Sequence, residues 1–330
     1  MVNHGRSRMP RLPWGAINVV ALAIIMAFCA VPAFASGKLV AVVLTSDITR
    51  YRDAHRAFIK TLAANGYNEG NMDIIIQSPN PDPISWANSV RKVVAIGADI
   101  IITYGAPVTL AAMRETEDVP IVFADVYGPV ETGVTTNMTI TGRNMTGVSS
   151  KVPMITLIKA ASEIRPFRNL GVIYNSREIG SVVQLKEIKR ASAQLGFAVF
   201  AINVTSVAGL DVALNPLLAK VDFVYVSESS AGCKGFEKIV HRANVYKIPV
   251  ISQIPDAADR GALVALEISP TEQGQLAGES AVKVLNGKKI GQIPIATPKK
   301  TDMIINLRAA RALDLHIPFQ VLSVATRIMK

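Results

Sequence analysis

Short apolar runs alternate along the chain with segments whose apolar residues recur at the helical period. Residues 39–44 are apolar and rich in Val, as is typical of a strand buried on both faces. In residues 54–64, Phe58 and Leu62 fall on one face of a predicted helix that Gly66 ends. The same alternation predicts strands at 72–77, 99–103, 119–124, 170–174, 197–204, 222–226, 248–252 and 262–266, and helices at 84–96, 108–116, 182–195, 208–218, 234–246 and 271–286. Strands that alternate with helices predict crossover units and parallel sheets.

One segment interrupts this alternation near the middle of the chain. Residues 131–150 are rich in Gly, Thr and Asn, which predicts a loop or hinge. Beyond it the alternation starts again, and the helix at 271–286 ends at Asn286-Gly287, a favourable C-terminus. Two similar halves joined by a polar hinge predict an α/β protein with two doubly wound, Rossmann-like lobes.

The first 35 residues have the pattern of a secretory signal peptide. Arg6, Arg8 and Arg11 form a basic start, residues 16–31 are apolar except for Asn18, and residues 33–35 read Ala-Phe-Ala. The apolar run is shorter than the ~20 residues that a membrane anchor needs. We therefore expect cleavage after Ala35 and export to the periplasm.

Lipid attachment at the signal is an alternative to simple cleavage. Cys29 would be the acceptor, but Phe28 before it is too bulky for a lipoprotein cleavage site. Simple cleavage is the prediction that fits the Ala-x-Ala ending.

The charge of the chain is basic without being concentrated. The net charge is +10, three of the arginines lie in the predicted signal peptide, and the other Lys and Arg are dispersed. A nucleic-acid-binding protein would gather this charge into a patch, so a solvated basic surface is the better interpretation and no nucleic acid is expected as a partner.

Cysteine and histidine usage gives no sign of a metal or a disulfide. Cys233 is the one cysteine left after cleavage, so it is either buried and inert or a site of dimerisation. His55, His241 and His316 are far apart in sequence and have no metal-ligand spacing. We predict no cofactor and no metal, and a monomer.

The candidate ligand-binding residues follow the predicted strands. In doubly wound sheets, ligands bind beyond the carboxyl ends of the parallel strands, and in two facing lobes both sets of ends line one cleft. The residues at these positions are Thr45, Ser46, Tyr104, Ala106, Pro107, Asp125, Tyr127, Asn175, Glu228, Ser229, Gln253 and Asp256. Each polar one could instead cap a helix or stabilise a turn, because Ser, Thr, Asn and Asp are favoured there for backbone reasons alone.

Several sequence blocks, from about residue 38 to residue 318, resemble one known family. It comprises the substrate-binding proteins of ABC transporters whose better-studied members bind tryptophan or tyrosine. The blocks are 119–123 with Gly128-Pro129, 144–149 (Asn-Met-Thr-Gly-Val-Ser), 171–175 (Gly-Val-Ile-Tyr-Asn) with Ser181, 248–250, 260–263, and 305–307 with Ile317-Pro318. Each block is short, but their order and spacing together are specific.

The resemblance implies the type I periplasmic-binding fold and a Venus-flytrap mechanism, in which two lobes close on a ligand and the closed form docks on a membrane permease. It implies one lobe from residues 36–147 with 269–297 and another from 148–268 with 298–330. It adds Ser181 to the ligand-binding candidates. Helix N-termini and hydroxyls would hold an α-carboxylate, and an acidic side chain would hold an α-amine.

The departures from the family pattern fall at the predicted site. The chain has Ala106-Pro107 where the family has Thr-Pro, Tyr127-Gly128-Pro129 where it has Thr-Asp-Pro, Gly180 where it has Asn, Ser229 (beside Glu228) where it has Asp, and Ile254-Pro255 where it has an acidic stretch. An aromatic amino acid stays open as the ligand but does not follow from the resemblance, since fold similarity does not fix function. The prediction is a small polar ligand, such as an amino acid, delivered to an ABC permease.

Other functions stay open at this stage. A periplasmic subunit that passes a ligand signal to a membrane sensor would have the same sequence features. An enzyme is not predicted, because no nucleophile elbow, P-loop or dinucleotide fingerprint is present, although Asp125, Glu228 and Asp256 could pair as acid and base. The altered pocket could also have lost the family ligand. Tyr104 and Tyr127 could stack on a planar ligand or pack within a lobe.

Overall fold

Residues 38–329 of the protein form two β-sheets whose strands follow one another along the chain. The computed structural model describes Met1 and residues 37–330; the predicted signal peptide, its cleavage site after Ala35 and Cys29 lie outside the described residues. The first sheet contains β1 (Lys38–Leu44), β2 (Met72–Gln77), β3 (Ile100–Tyr104), β4 (Ile121–Val126) and β5 (Met145–Ser149). The second contains β6 (Asn169–Tyr174), β7 (Ala198–Asn203), β8 (Phe223–Val226), β9 (Val250–Ser252), β10 (Val264–Glu267), β11 (Asp302–Asn306) and β12 (Arg327–Met329).

The first sheet is parallel throughout and has the order β2-β1-β3-β4-β5. Its chain crosses over through α1 (Thr49–Ala64), α2 (Pro83–Ala95) and α3 (Ala106–Glu115). The strands β1, β3 and β4 are buried nearly throughout, as expected of parallel strands covered by helices on both faces. This α/β sheet with its helices is the first lobe.

The second sheet has the order β12-β11-β10-β9-β8-β6-β7, and only its pair β10–β11 is antiparallel among the pairs described. Its helices are α4 (Met154–Ile164), α5 (Ile179–Leu195), α6 (Leu210–Leu218), α7 (Ser230–Lys234), α8 (Phe236–Val245), α10 (Leu307–Ala312) and α11 (Phe319–Ser323). The predicted fold class, two doubly wound lobes, is confirmed.

The helix α9 (Pro270–Leu285) returns the chain to the first lobe, where it packs along α1 and against β4 and β5. The contact is close because Gly274 and Gly278 face α1. A Cβ at Gly274 would overlap the carbonyl oxygen of Ala54 and lie 2.9 Å from the Cβ of Ala57. The helix ends at Asn286, and Gly287 has φ +86°, as the sequence predicts for this terminus.

The prediction of a loop over residues 131–150 is wrong at its end. Residues 145–149 form β5, which pairs in parallel with β4. Met145 and Val148 are buried, and Gly147 crosses so close to Phe123 that a Cβ would overlap its backbone and ring. Glycine lowers strand propensity but is required where another backbone approaches closely, so tertiary packing decides here.

The strand β5 runs two residues past residue 147, the predicted end of the first lobe segment. The lobe boundaries themselves stay predictions. The helix α4, the strand β12 and the short helices α7, α10 and α11 were not predicted at all. Between residues 37 and 330, no helix is both long and apolar enough to cross a membrane.

We predict that Gly274→Ala lowers the free energy of unfolding by about 1–3 kcal/mol, because the added methyl group forces α9 away from α1. Urea unfolding followed by circular dichroism would measure this. The matched control is Gly209→Ala, since a Cβ there would have no neighbour nearer than 3.8 Å. Equal stability of the two variants would contradict the close packing of α1 on α9.

Candidate functional site

The carboxyl ends of the two sheets meet in a cleft between the lobes. Ser46 follows β1 in the first lobe, and Ser230 begins α7 in the second. The Ser230 hydroxyl donates a hydrogen bond to Oγ of Ser46 at 2.8 Å, and both side chains are buried. One buried apolar cluster also runs from β1 and β3 of the first lobe to β8 and α8 of the second. The lobes are therefore in direct contact at the strand ends.

A buried arginine stands at the centre of this contact. Arg50 lies in the first turn of α1, and its side chain is only 7% exposed. Its Nε is 3.2 Å from Oδ2 of Asp125, which belongs to the end of β4 in the same lobe. Its Nη1 is 3.4 Å from Oε1 of Glu228, which follows β8 in the other lobe. Its Nη2 donates to the Glu228 carbonyl oxygen at 3.4 Å, so one guanidinium joins the two lobes.

Beside this ion-pair network lies a small cavity, whose space of about 10 Å³ is roughly that of one water molecule. Its lining combines carboxylates, amides and a hydroxyl with aliphatic side chains: Asp125, Ser150, Val152, Glu228, Gln253, Pro255, Ile268, Pro270 and Gln273. Residues of both lobes contribute to this lining.

Some polar atoms of the cleft have no hydrogen-bond partner among the described residues. They include Ser150 Oγ and Gln253 Nε2, which line the cavity, and Arg50 Nε and Nη1. The two arginine nitrogens are at ion-pair distance from carboxylates but lack hydrogen-bond geometry. Buried polar groups are normally paired, so unpaired donors beside two carboxylates suit a small ligand that carries both an anionic and a cationic group.

Burial dominates the electrostatics of Glu228. It raises the pKa of this carboxyl to about 8, although the positive charge of Arg50 acts in the opposite direction. Gln184 of α5 fixes the residue, since its Nε2 donates to Glu228 Oε2 at 3.1 Å and its Oε1 accepts from the Glu228 backbone at 2.9 Å. Other titratable groups that face Glu228 are Asp125, Tyr127, Tyr225 and Cys233.

Three of the predicted ligand-binding residues, Asp125, Glu228 and Gln253, line the cavity. Ser46 lies at the contact between the lobes. Asp256 lies outside the cavity, where it pairs with Arg260 at 3.4 Å and helps to line two wider surface depressions. Ligand contact by any of these residues stays a prediction.

Other predicted residues make hydrogen bonds within one lobe. Thr45 donates to the Tyr104 carbonyl oxygen at 2.8 Å. Ser181 Oγ accepts from the Asn175 backbone at 2.9 Å, and Ser229 Oγ accepts from the Gly232 backbone at the start of α7. Ala106 and Pro107 begin α3 away from the cavity lining. The alternative interpretation, capping and turn formation, describes the observed bonds of these side chains.

The two candidate tyrosines pack within the protein. Tyr104 is fully buried, with its ring centroid 6.0 Å from those of both Tyr51 and His55. The Tyr127 hydroxyl lies 2.5 Å from Oε2 of Glu187, so this side chain connects the end of β4 to α5 of the second lobe. Neither ring belongs to the lining of the small cavity.

Comparison with known proteins places this architecture in a family. The family model of ABC transporter substrate-binding proteins matches residues 40–329. The chain belongs to this family. Its members bind solutes and are not enzymes, so the predicted absence of catalysis agrees with the family. A tyrosine-binding protein of Clostridioides difficile is 30% identical over 265 residues, which cover 80% of this chain and 77% of the relative.

Solved structures of similar proteins have the same fold. A conserved domain protein from Vibrio cholerae has a TM-score of 0.85 and 25% identity, covering 89% of this chain and all of the other. An ABC domain from Streptococcus pneumoniae in complex with L-Trp has a TM-score of 0.84 and 23% identity, with the same coverage. The ligand-free, open structure of a Clostridium difficile substrate-binding protein with adhesive properties has a TM-score of 0.65 and 27% identity, covering 89% and 99%.

Sequence reasoning missed Arg50, Ser150, Ser230 and Gln273. The candidates were limited to the residues directly after strands, whereas Arg50 and Gln273 lie in the first turns of α1 and α9. Gln273 Nε2 donates to the Ser149 carbonyl oxygen at 2.8 Å, and its Oε1 accepts from the Asp125 backbone at 3.0 Å. A search that included the first helical turn after each strand would have included both residues, but it would not have separated Arg50 from Arg52.

Cys233 is buried, as one of the two sequence alternatives held. Burial raises the pKa of its thiol to about 12, so the reactive thiolate is disfavoured. Among the described residues, no three His, Cys, Asp or Glu side chains are grouped as metal ligands would be.

We predict that stability falls as the pH rises towards 8 and that Glu228→Gln flattens this dependence. The folded-state pKa of Glu228, about 8, lies above the value of 4.5 for an unfolded chain. Folding therefore favours the protonated acid: its stabilisation is complete below pH 4.5 and is lost as the pH rises through 8.

The measurement is urea unfolding between pH 4.5 and pH 9, a range that spans both pKa values. Glu279→Gln, on the exposed face of α9, is the control and should keep the wild-type slope. A Glu228→Gln slope identical to that of wild type would contradict this assignment.

Proposed function

We propose that this chain is the exported solute-binding component of an ABC importer and that it closes its two lobes on a small polar ligand. The observation that carries the proposal is the lining of the small cavity between the lobes, which holds two carboxylates beside buried donors without partners. In a member of a substrate-binding family, such a cavity is best explained as the ligand site.

The contacts across the cleft support closure of the lobes. The Ser46–Ser230 hydrogen bond, the Arg50–Glu228 ion pair and the Tyr127–Glu187 hydrogen bond all join the two lobes. The higher similarity to a ligand-bound relative than to an open, ligand-free one supports a closed arrangement of this kind. An open form would separate these pairs, so the ligand would enter before they form.

The ligand that fits this lining best is an amino acid or a similar zwitterion. Asp125 and Glu228 would receive an ammonium group, and the donors of Gln253, Ser150 and Arg50 would receive a carboxylate. The tyrosine named for one relative and the L-Trp bound to another support the amino-acid class. The aliphatic lining by Val152 and Ile268 does not determine which side chain the ligand carries.

Export to the periplasm and delivery to a permease complete the proposal. The signal peptide predicted from Arg6 to Ala35 supports export, and the family supports an ABC permease as partner. The lobes would be residues 36–147 with 269–297 and residues 148–268 with 298–330, acting as a monomer.

The first test is thermal unfolding of the mature protein, residues 36–330, against panels of amino acids, sugars, purines and small carboxylates. A ligand at a hundredfold excess over its Kd should stabilise the folded state by about 2.7 kcal/mol.

Asp125→Asn should weaken binding of the ligand found in this screen at least about tenfold, because the charge-assisted hydrogen bond is lost. The control is Asp211→Asn, whose side chain is exposed on α6 and whose replacement should leave binding unchanged. If no compound raises the unfolding midpoint of the folded protein, the import hypothesis is contradicted.

Export has its own test. When the full chain is expressed in a Gram-negative host, we expect the periplasmic fraction to contain a protein that begins at Ser36, as intact mass would show. Replacing Ala35 with Arg should block this cleavage, whereas Ser36→Thr should not. A chain that stays in the cytoplasm with its first 35 residues attached would contradict the predicted signal peptide.

A further inference from the structure

Arg50 forms part of the boundary between the small cavity and the surface of the protein. Its two carboxylate partners, Asp125 and Glu228, line the cavity, whereas Arg50 lines the two wider depressions that open to solvent beside it. Pro255 belongs to the lining of all three. The guanidinium therefore stands where a ligand passing between the surface and the cavity would meet it.

The preferences of a helix N-terminus do not favour an arginine at this position, although its guanidinium lies 4.9 Å from the centre of the Tyr51 ring. The first turn of α1 reads Thr49-Arg50-Tyr51-Arg52, and Ile48 before it has no side-chain acceptor to cap the helix. Positive charge is unfavourable at a helix N-terminus, where acidic residues are preferred. A buried ion pair is also weak evidence for stability, because desolvation offsets the attraction between the charges. A residue that violates these local preferences marks a functional position.

The charge of Arg50 changes what the two carboxylates can bind. Asp125 and Glu228 contact the same guanidinium from opposite lobes, and without Arg50 they would form a site for a cation. With the guanidinium between them, a ligand that carries only positive charge meets repulsion and finds its partners already paired. A zwitterion can exchange pairs, its ammonium taking a carboxylate and its own carboxylate taking the guanidinium.

We propose that Arg50 is the specificity-determining residue of the cleft, which rejects ligands of net positive charge and admits neutral or zwitterionic ones. The inference deepens the proposed function and rests on its ligand-binding role for the cleft. A site discriminates between ligands as much by repelling the wrong ones as by attracting the right ones, and the positive charge of Arg50 supplies the repulsion.

The test compares variants of Arg50 for binding of ethylammonium and L-lysine, which carry net positive charge, with L-alanine as the zwitterion. The proteins are recovered from expression of the full chain and titrated calorimetrically. We expect Arg50→Met to bind ethylammonium at least about tenfold more tightly than wild type does. Arg50→Lys keeps the positive charge and should behave like wild type.

The matched control is Arg52→Met, two residues further along the same helix. Arg52 is exposed and pairs with Asp47 at the surface, so its removal should leave the preference for charge unchanged. If Arg50→Met fails to fold, the Arg50→Met/Glu228→Gln double variant removes one charge of each sign and leaves the Asp125 carboxylate. The double variant should show the same gain in ethylammonium binding.

Failure of this inference is distinguishable from failure of the proposed function. If wild type binds L-alanine or another zwitterion and neither folded variant gains ethylammonium binding, Arg50 does not select by charge and the inference is overturned. If wild type binds no zwitterion but Arg50→Met or the double variant gains ethylammonium binding, the inference stands. In that case it is the amino-acid ligand of the proposed function that falls. Equal gains in Arg52→Met would also overturn the inference, because the effect would then be one of overall charge.

Discussion

The contact between the two lobes depends on one requirement, that the buried guanidinium of Arg50 have polar partners on both sides. Asp125 supplies one partner from within the first lobe, but Glu228 comes from the second. A charge removed from water needs partners and hydrogen bonds to offset its desolvation. Separation of the lobes would expose Arg50 to water, which would then solvate its charge in place of Glu228. The Arg50–Glu228 contact therefore favours the closed form only while water is excluded from the cleft.

The same principle explains why so few of the polar residues at the strand ends are free to bind anything. Parallel strands bring their carboxyl ends to one edge, where backbone groups and helix N-termini must be satisfied. Thr45, Ser181 and Ser229 satisfy such backbone groups with their hydroxyls. The buried donors that stay unpaired in the cleft, such as Gln253 Nε2, are therefore the exception. Ligand binding at the cleft would therefore depend on these unpaired donors.

The sequence contains most of the fold, because the alternation of buried strands and amphipathic helices is a local property. It also indicates Asp125, Glu228 and Gln253, because each follows a strand directly. Arg50 could not be found in this way: Arg50 and Arg52 are alike in sequence, but one is 7% exposed and the other 53%. The difference is made by partners that are distant in sequence and, in part, in the other lobe. The strand β5 escaped prediction for a similar reason, since the closeness of Phe123 is what requires its glycine.

Two of the departures from the family pattern lie at the same contact between the lobes. Tyr127 stands where the family has a smaller residue, and Gly180 stands where it has Asn. A Cβ at Gly180 would lie 3.5 Å from the Cβ of Tyr127, at ordinary van der Waals distance, so the two positions are neighbours across the cleft. The Tyr127 hydroxyl then reaches Glu187 across the cleft at 2.5 Å. Tyr127 therefore adds a contact between the end of β4 and α5 without entering the lining of the cavity, so this departure from the family bears on the packing of the lobes and not on the groups that line the cavity.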